Sequence, residues 1–223
     1  MKLITNGCSF TWGGGFYDYP DYLRETMVWP HHLGALLQAK QVVNLSSGCG
    51  SNQRIFRTTL NYILSTPKKD LENAIAVIQF TDSSRYEFYL PSSVDRFENI
   101  EENWAKAKVD VLLVPTHKMY DELYRLTQER ISMHTPIEGL YQTISIALSL
   151  QYIFNLHNIK HYFWTIDLKD YPNNLNTIID EINFIGYHDC WEYERISLED
   201  PHPSIVGHKQ IANYVFKAIK NYD

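Results

Sequence analysis

The sequence predicts an α/β domain of three layers, α/β/α, built on a mostly parallel sheet. Short apolar runs alternate with helical stretches, at Lys2–Asn6, Val42–Leu45, Ala74–Phe80 and His161–Ile166. The third run, Ala-Ile-Ala-Val-Ile-Gln-Phe, is almost continuously apolar, as a central strand covered on both faces must be. The regular alternation of strand and helix suits parallel strands joined by crossover helices.

The first strand, Lys2 to Asn6, leads into Gly7-Cys8-Ser9, a tight turn that carries a serine. Gly13-Gly14-Gly15 follows, then a loop in which Tyr17, Tyr19 and Tyr22 flank Pro20. Two readings of that loop stay open: rings packed on one another, or an aromatic wall beside a substrate. Trp29 to Gln38 is expected to be helical, with Pro30 in the first turn, where no N–H is needed, and Leu33, Leu36 and Leu37 at helical spacing. After the second strand, Ser46 to Ser51 is a small-residue loop. Asn52 is expected to cap a helix running to about Leu64, with Ile55, Phe56, Leu60 and Ile63 facing inward.

Beyond the central strand the rhythm breaks. Residues 83–135 are polar, aromatic and charged, with a helix predicted over Tyr120–Arg130. They are expected to form a variable insertion within a single domain spanning residues 1–223. Pro136 starts a long buried helix to about Leu156, and His161–Ile166 is the next strand. Pro203 leads into a last helix, Ile205 to Ile219, with Ile211, Val215 and Ile219 on one face. In parallel α/β sheets, ligands sit at the carboxyl ends of the strands. Ser9, the Ser46–Ser51 loop and the Thr81-Asp82 turn each directly follow a strand, so three segments are expected to converge on one edge.

A length of 223 residues with 44% hydrophobic content suits one domain with a substantial core. The net charge of −6 and the absence of any dense basic run argue against a nucleic-acid partner. Lys68-Lys69 is the only adjacent basic pair, and an acidic residue follows it. The three cysteines, Cys8, Cys49 and Cys190, fit reduced thiols in a cytoplasmic setting. The N-terminus does not resemble a signal peptide, and no apolar run approaches the roughly 18 residues that span a bilayer. A soluble, cytoplasmic protein without membrane contact is expected. The nine histidines form no HExxH pattern, no Cys-x-x-Cys pair is present, and adjacent His31-His32 cannot both face one ion. The glycine triplet lacks the Lys-Ser/Thr of a phosphate loop. No metal and no cofactor are expected.

A serine hydroxyl is a weak nucleophile until a base takes its proton, and a histidine oriented by a carboxylate is the usual solution. Asp200-Pro201-His202-Pro203-Ser204 supplies both groups just before the last helix. With Gly7-Cys8-Ser9-Phe10-Thr11 as nucleophile block and Asn44-Leu45-Ser46-Ser47-Gly48-Cys49-Gly50-Ser51-Asn52 as second block, the chain resembles the SGNH or GDSL-like hydrolases. Trp29-Pro30 and Ser51-Asn52-Gln53-Arg54-Ile55 are similar to a branch seen in phage and bacterial genomes. The resemblance covers both ends of the chain well and the middle poorly. It implies a flavodoxin-like fold, Ser9 as nucleophile, His202 as base and Asp200 as the acid that orients it. It also implies an oxyanion hole from the backbone of Ser9 and of Gly48 or Gly50.

Three positions depart from the family pattern. Thr81, in Gln79-Phe80-Thr81-Asp82, stands where the family places an asparagine donor. Glu199 occupies the family's usual acid position, three residues before the histidine, so it rivals Asp200. The glycine expected after Asn44 falls on Cys49, with Gly48 and Gly50 on either side.

Other roles compete for the same residues. Ser9 could cap a helix, and His202 could be a loop histidine bonded to backbone. His208 is read as packed into the last helix's face or as a partner of the site. Cys8 should point away from Ser9 and be buried. Arg54 and Arg85 serve either structural ion pairs or an anionic substrate. The leading reading is a serine esterase that cleaves a carboxylic ester or an O-acetyl group, on a small molecule or a glycan. The rival is an inactive binding or structural module of the same fold, for example in a phage particle, and a third reading is acyl transfer to a hydroxyl other than water.

Overall fold

Side chains alternate across the strands, and that alternation builds the layers. The computed structural model describes residues 1–83, 85, 87–89, 111–112, 135–166, 183–187 and 192–222. Strands β1 (Lys2–Asn6), β2 (Gln41–Asn44), β3 (Ile75–Phe80), β6 (Lys160–Thr165) and β7 (Phe184–Tyr187) form one five-stranded sheet in the order β2-β1-β3-β6-β7. Every pairing in it is parallel. Two short strands, β4 (Phe88–Tyr89) and β5 (Val111–Leu112), pair antiparallel as a separate sheet.

On one face of the main sheet Ile4, Ala76, Ile78, Phe80 and Phe163 pack with Ile55 and Ile63 of α4 (Asn52–Ser65) and Ala147, Leu150 and Phe154 of α6 (Pro136–Leu156). On the other, Leu3, Val77, Tyr162 and Trp164 pack with Trp29 and Leu33 of α3 (Trp29–Leu36) and Ile211, Val215 and Ile219 of α7 (Ile205–Tyr222). Neighbours in sequence such as Leu3 and Ile4, or Ala76 and Val77, thus enter opposite cores, the period-2 pattern of a doubly covered strand. The result is the α/β/α architecture with a parallel sheet that the sequence predicts.

Helix starts follow local chemistry. Thr135 caps α6 by accepting from Glu138 N at 3.1 Å, with Pro136 in the first turn. The cap of α4 is Ser51, whose hydroxyl accepts from Arg54 N at 3.2 Å, not the expected Asn52. The Asn52 amide is engaged across the fold instead.

Three short helices were not legible in the sequence: α1 (Ser9–Trp12), α2 (Asp21–Met27) and α5 (Lys68–Leu71). Tyr22 therefore sits on a helix, and Arg24 anchors it. Its guanidinium lies 3.8 Å over the Trp12 ring, donates to Trp12 O at 3.1 Å and pairs with Asp21 at 2.7 Å. Strand β7 was also unexpected, whereas Tyr120–Arg130 and Cys190 lie outside the described residues.

Candidate active site

Asn6, the last residue of β1, is fully buried and holds the serine turn in place. Its Nδ2 donates to Ile55 O, Thr58 Oγ1 and Thr59 Oγ1 at 3.1, 2.8 and 2.9 Å, and its Oδ1 accepts from Gly7 N at 2.8 Å. Gly7 is required by close approach, since a Cβ there would lie 2.6 Å from Gln79 Oε1. Cys8 is fully buried, as expected, with Sγ 3.9 Å from Gln79 Oε1.

Ser9 is the first residue of α1, so its N–H has no partner within the helix. Its carbonyl accepts from Gly13 N and Gly14 N at 2.9 and 2.8 Å. Thr11 bonds Gln79 on one side and accepts from Trp29 Nε1 at 3.2 Å on the other, which fixes the short helix against β3 and α3.

The glycine triplet has a specific use. A Cβ on Gly14 would lie 2.4 Å from both Cδ2 and Nε2 of His202. One on Gly15 would meet Ile196 and come within 3.0 Å of Asp200 Oδ2. Gly13 and Gly15 also take left-handed φ angles of 98° and 86°, whereas Gly14 does not and serves by its size alone. The histidine loop is thus seated directly on the turn that ends α1. The Phe10 ring packs on His202 with centroids 5.2 Å apart.

His202 Nδ1 meets Asp200 Oδ1 at 2.6 Å, and the same oxygen accepts from His202 N at 3.0 Å. Partial burial pushes the Asp200 carboxyl up, but the His202 backbone N–H, the imidazole hydrogen bond and its charge together hold it below the ordinary carboxylate range. Glu199 is turned elsewhere: its carboxylate accepts from Ser197 Oγ at 3.1 Å. Ser197 Oγ in turn accepts from Asp200 N at 3.0 Å, and Ile196 N donates to His202 O at 2.9 Å, closing a rigid loop. Ser9 Oγ makes no hydrogen bond to the imidazole, and Ser9 is 5% exposed.

The second loop packs onto the first. A Cβ on Gly50 would lie 3.0 Å from Gly7 O and 3.4 Å from Cys8 Cα. Gly50 donates its own N–H to Ser47 O at 3.2 Å, whereas the Gly48 and Cys49 amides make no bond to the described residues. Cys49 has φ 54°, the left-handed backbone that favours glycine, at the position where the pattern calls for glycine. Sequence reasoning passed over its N–H because the residue is a cysteine.

Thr81 directly follows β3 and is 1% exposed. Asn52 clamps its backbone, accepting from Thr81 N at 2.9 Å and donating to Thr81 O at 3.1 Å. The Thr81 hydroxyl itself is buried without a hydrogen-bond partner among the described residues.

His208 lies deeper, fully buried, and its Nδ1 accepts from Trp29 N at 3.2 Å. Its pKa falls to about 3 because burial disfavours the charged ring, with His32 and His202 adding repulsion. It is a neutral structural residue. Among the described residues, no cluster of three or more His, Cys, Asp or Glu is placed to hold a metal, and no helix is long and apolar enough to cross a membrane.

A family model described as a family of unknown function, DUF6071, matches residues 17–191. The chain belongs to DUF6071. The matched span leaves out Ser9, Asp200 and His202, so membership of DUF6071 carries no information about them. No curated protein matches the sequence. Among solved structures, TesA is 12% identical over 100% of both chains with a TM-score of 0.54. A protein assigned to the lipolytic G-D-S-L family from Desulfitobacterium hafniense is 15% identical, covering 97% of this chain and 98% of that one, with a TM-score of 0.45. A GDSL-like lipase from Bacteroides thetaiotaomicron is 10% identical over 99% and 88%, with a TM-score of 0.42. This DUF6071 chain shares the α/β/α fold of TesA.

Proposed function

We propose that the protein is a serine ester hydrolase acting through an acyl-enzyme on Ser9. The observation that carries this reading is the Asp200–His202 pair at 2.6 Å, seated on the glycine turn that ends the Ser9 helix. With Nδ1–H donated to Asp200, His202 Nε2 is the basic nitrogen. It takes the Ser9 proton as Oγ attacks the ester carbonyl. The tetrahedral oxyanion is held by the Ser9 N–H, an N–H from Gly48 or Cys49, and the Thr81 hydroxyl. Collapse expels the alcohol, which leaves with the proton returned by His202. Water then enters, gives its proton to His202 and releases the acid from Ser9.

The Thr81 hydroxyl supports the oxyanion assignment because it is a buried donor with no partner among the described residues. A buried unpaired polar group is costly, so a vacant donor at a strand end is expected to serve a ligand. Carboxylic esters and O-acetyl groups, on small molecules or glycans, are the proposed substrates. Intact-mass labelling with a fluorophosphonate tests the reading: wild type should take one equivalent and Ser9→Ala none. A binding module of the same fold is the second reading, favoured by the near-complete burial of Ser9 and the missing bond from its hydroxyl to His202. Folded wild type that takes no label would establish that alternative. Catalytic hydrogen bonds often tighten only in the substrate complex, which is why the first reading is preferred.

A further inference from the structure

Positive charge in this acidic chain gathers beside the second loop. Arg54 and Arg57 lie one turn apart on α4, and Arg85 follows β3 just after Asp82. Glu87, whose side chain is 1% exposed, is bound by Arg57 through Nε at 3.0 and 3.1 Å and through Nη2 at 2.5 Å. That ion pair uses Arg57, whereas the sequence offered structural ion pairs as one of the two readings of Arg54 and Arg85. Arg54 and Arg85 are different: each has a buried Nη1 with no hydrogen-bond partner among the described residues. Burial lowers the Arg54 pKa, Arg57 lowers it further and Glu87 partly offsets both. Burial raises the pKa of the Cys49 thiol, and the Arg85 charge opposes that rise, which brings Arg85 into electrostatic reach of the oxyanion loop. Asp82 contributes its carbonyl to Arg85 N at 3.3 Å.

A guanidinium taken out of water without a partner costs stability, and a fold with no use for it would replace it by an apolar residue. Both arginines stand along the seam where α4 meets the segment after β3, closed by Asn52 on Thr81 and by Arg57 on Glu87, and their buried Nη1 donors suit the planar fork that carboxylates and phosphates accept. We propose that Arg54 and Arg85 form an anion-recognition subsite, so that the ester cleaved at Ser9 carries a carboxylate or phosphate on its acyl or alcohol part. This rests on the hydrolase reading for the cleavage but not for the binding.

The test therefore measures binding without turnover. Full-length Ser9→Ala protein is titrated calorimetrically with monomethyl succinate, with inorganic phosphate and with uncharged dimethyl succinate. The anions should bind at least tenfold more tightly than the diester. Arg54→Gln and Arg85→Gln should each weaken anion binding about tenfold to a hundredfold, the loss expected for a charge-assisted hydrogen bond. Arg→Lys at the same positions should recover part of it, because the charge returns without the fork. A larger loss for phosphate than for succinate assigns the subsite to phosphate, and the reverse assigns it to carboxylate. Thermal melts keep the result interpretable: an arginine held for a ligand leaves the melting temperature of the free protein equal or higher when replaced. Anions that bind no better than the diester, or glutamine variants that bind like the parent, overturn the proposal. If anions bind through the arginines while wild type takes no fluorophosphonate, only the hydrolase reading falls.

Discussion

The two sides of the Ser9 turn are built on opposite principles. On the glycine side, donors and acceptors of the histidine loop are paired: Ser197 holds Asp200, Asp200 holds His202, and the glycines leave room for the ring. On the α4 side, the Thr81 hydroxyl and one Nη1 each of Arg54 and Arg85 are buried with no hydrogen-bond partner among the described residues. A satisfied network fixes geometry, whereas an unsatisfied one marks where a partner is missing from the fold. In the proposed mechanism the histidine side positions the base, and the α4 side receives charge from a substrate.

The largest expected effects break the first side. His202→Ala should lower ester hydrolysis by roughly 10⁴-fold or more in steady-state kinetics, as removal of a base that acts as a unit with its nucleophile does. On the second side, Thr81→Val should lower kcat by about 10²–10³-fold, the usual loss for one oxyanion donor. Since that hydroxyl bonds nothing among the described residues, urea unfolding of Thr81→Val should show stability unchanged or raised. A clear loss of stability would assign Thr81 to the scaffold. Gly14→Ala sharpens the comparison without touching a polar group. Its methyl displaces the imidazole, so kcat should fall about 10²-fold, as misplacement of a catalytic group by ~1 Å does, while circular dichroism stays native.

The smallest effect concerns His208, whose folded pKa of about 3 lies below the ordinary histidine value of 6.5. Between those values the unfolded chain binds a proton that the native protein refuses, so stability rises with pH in that window. As pH falls from about 6.5, this ring should remove up to about 1.4 kcal/mol per pH unit. Urea unfolding at several pH values measures the slope, and His208→Gln should flatten it.

Much of this was legible in the chain. Strand β1, the Pro136–Leu156 helix and the parallel order followed from apolar runs, a proline in a first turn and alternating elements. Short elements were not, because α1, α2 and β7 carry too few turns or pairs to impose a period. The Asn52 cap failed for a related reason. Ser51 and Asn52 are both good caps by type, and the contact with Thr81 decided which one turned inward. Gly13-Gly14-Gly15 was visible as a triplet, but its use depends on a loop that arrives from residues 194–204.

The sequence by itself determined the α/β/α class, the strand-end positions of Ser9 and Thr81, and the nearness of Asp200 to His202. Each of those is a matter of local periodicity or of residues two apart. Tertiary structure alone decided that Asp200 and not Glu199 takes the imidazole, that Gly14 makes room for it, and that Cys49 adopts a glycine's backbone. It alone left one Nη1 each of Arg54 and Arg85 without a hydrogen-bond partner among the described residues while Arg57 found Glu87. These outcomes depend on which distant segments share a volume, and burial rather than residue type sets how much an unpaired group costs.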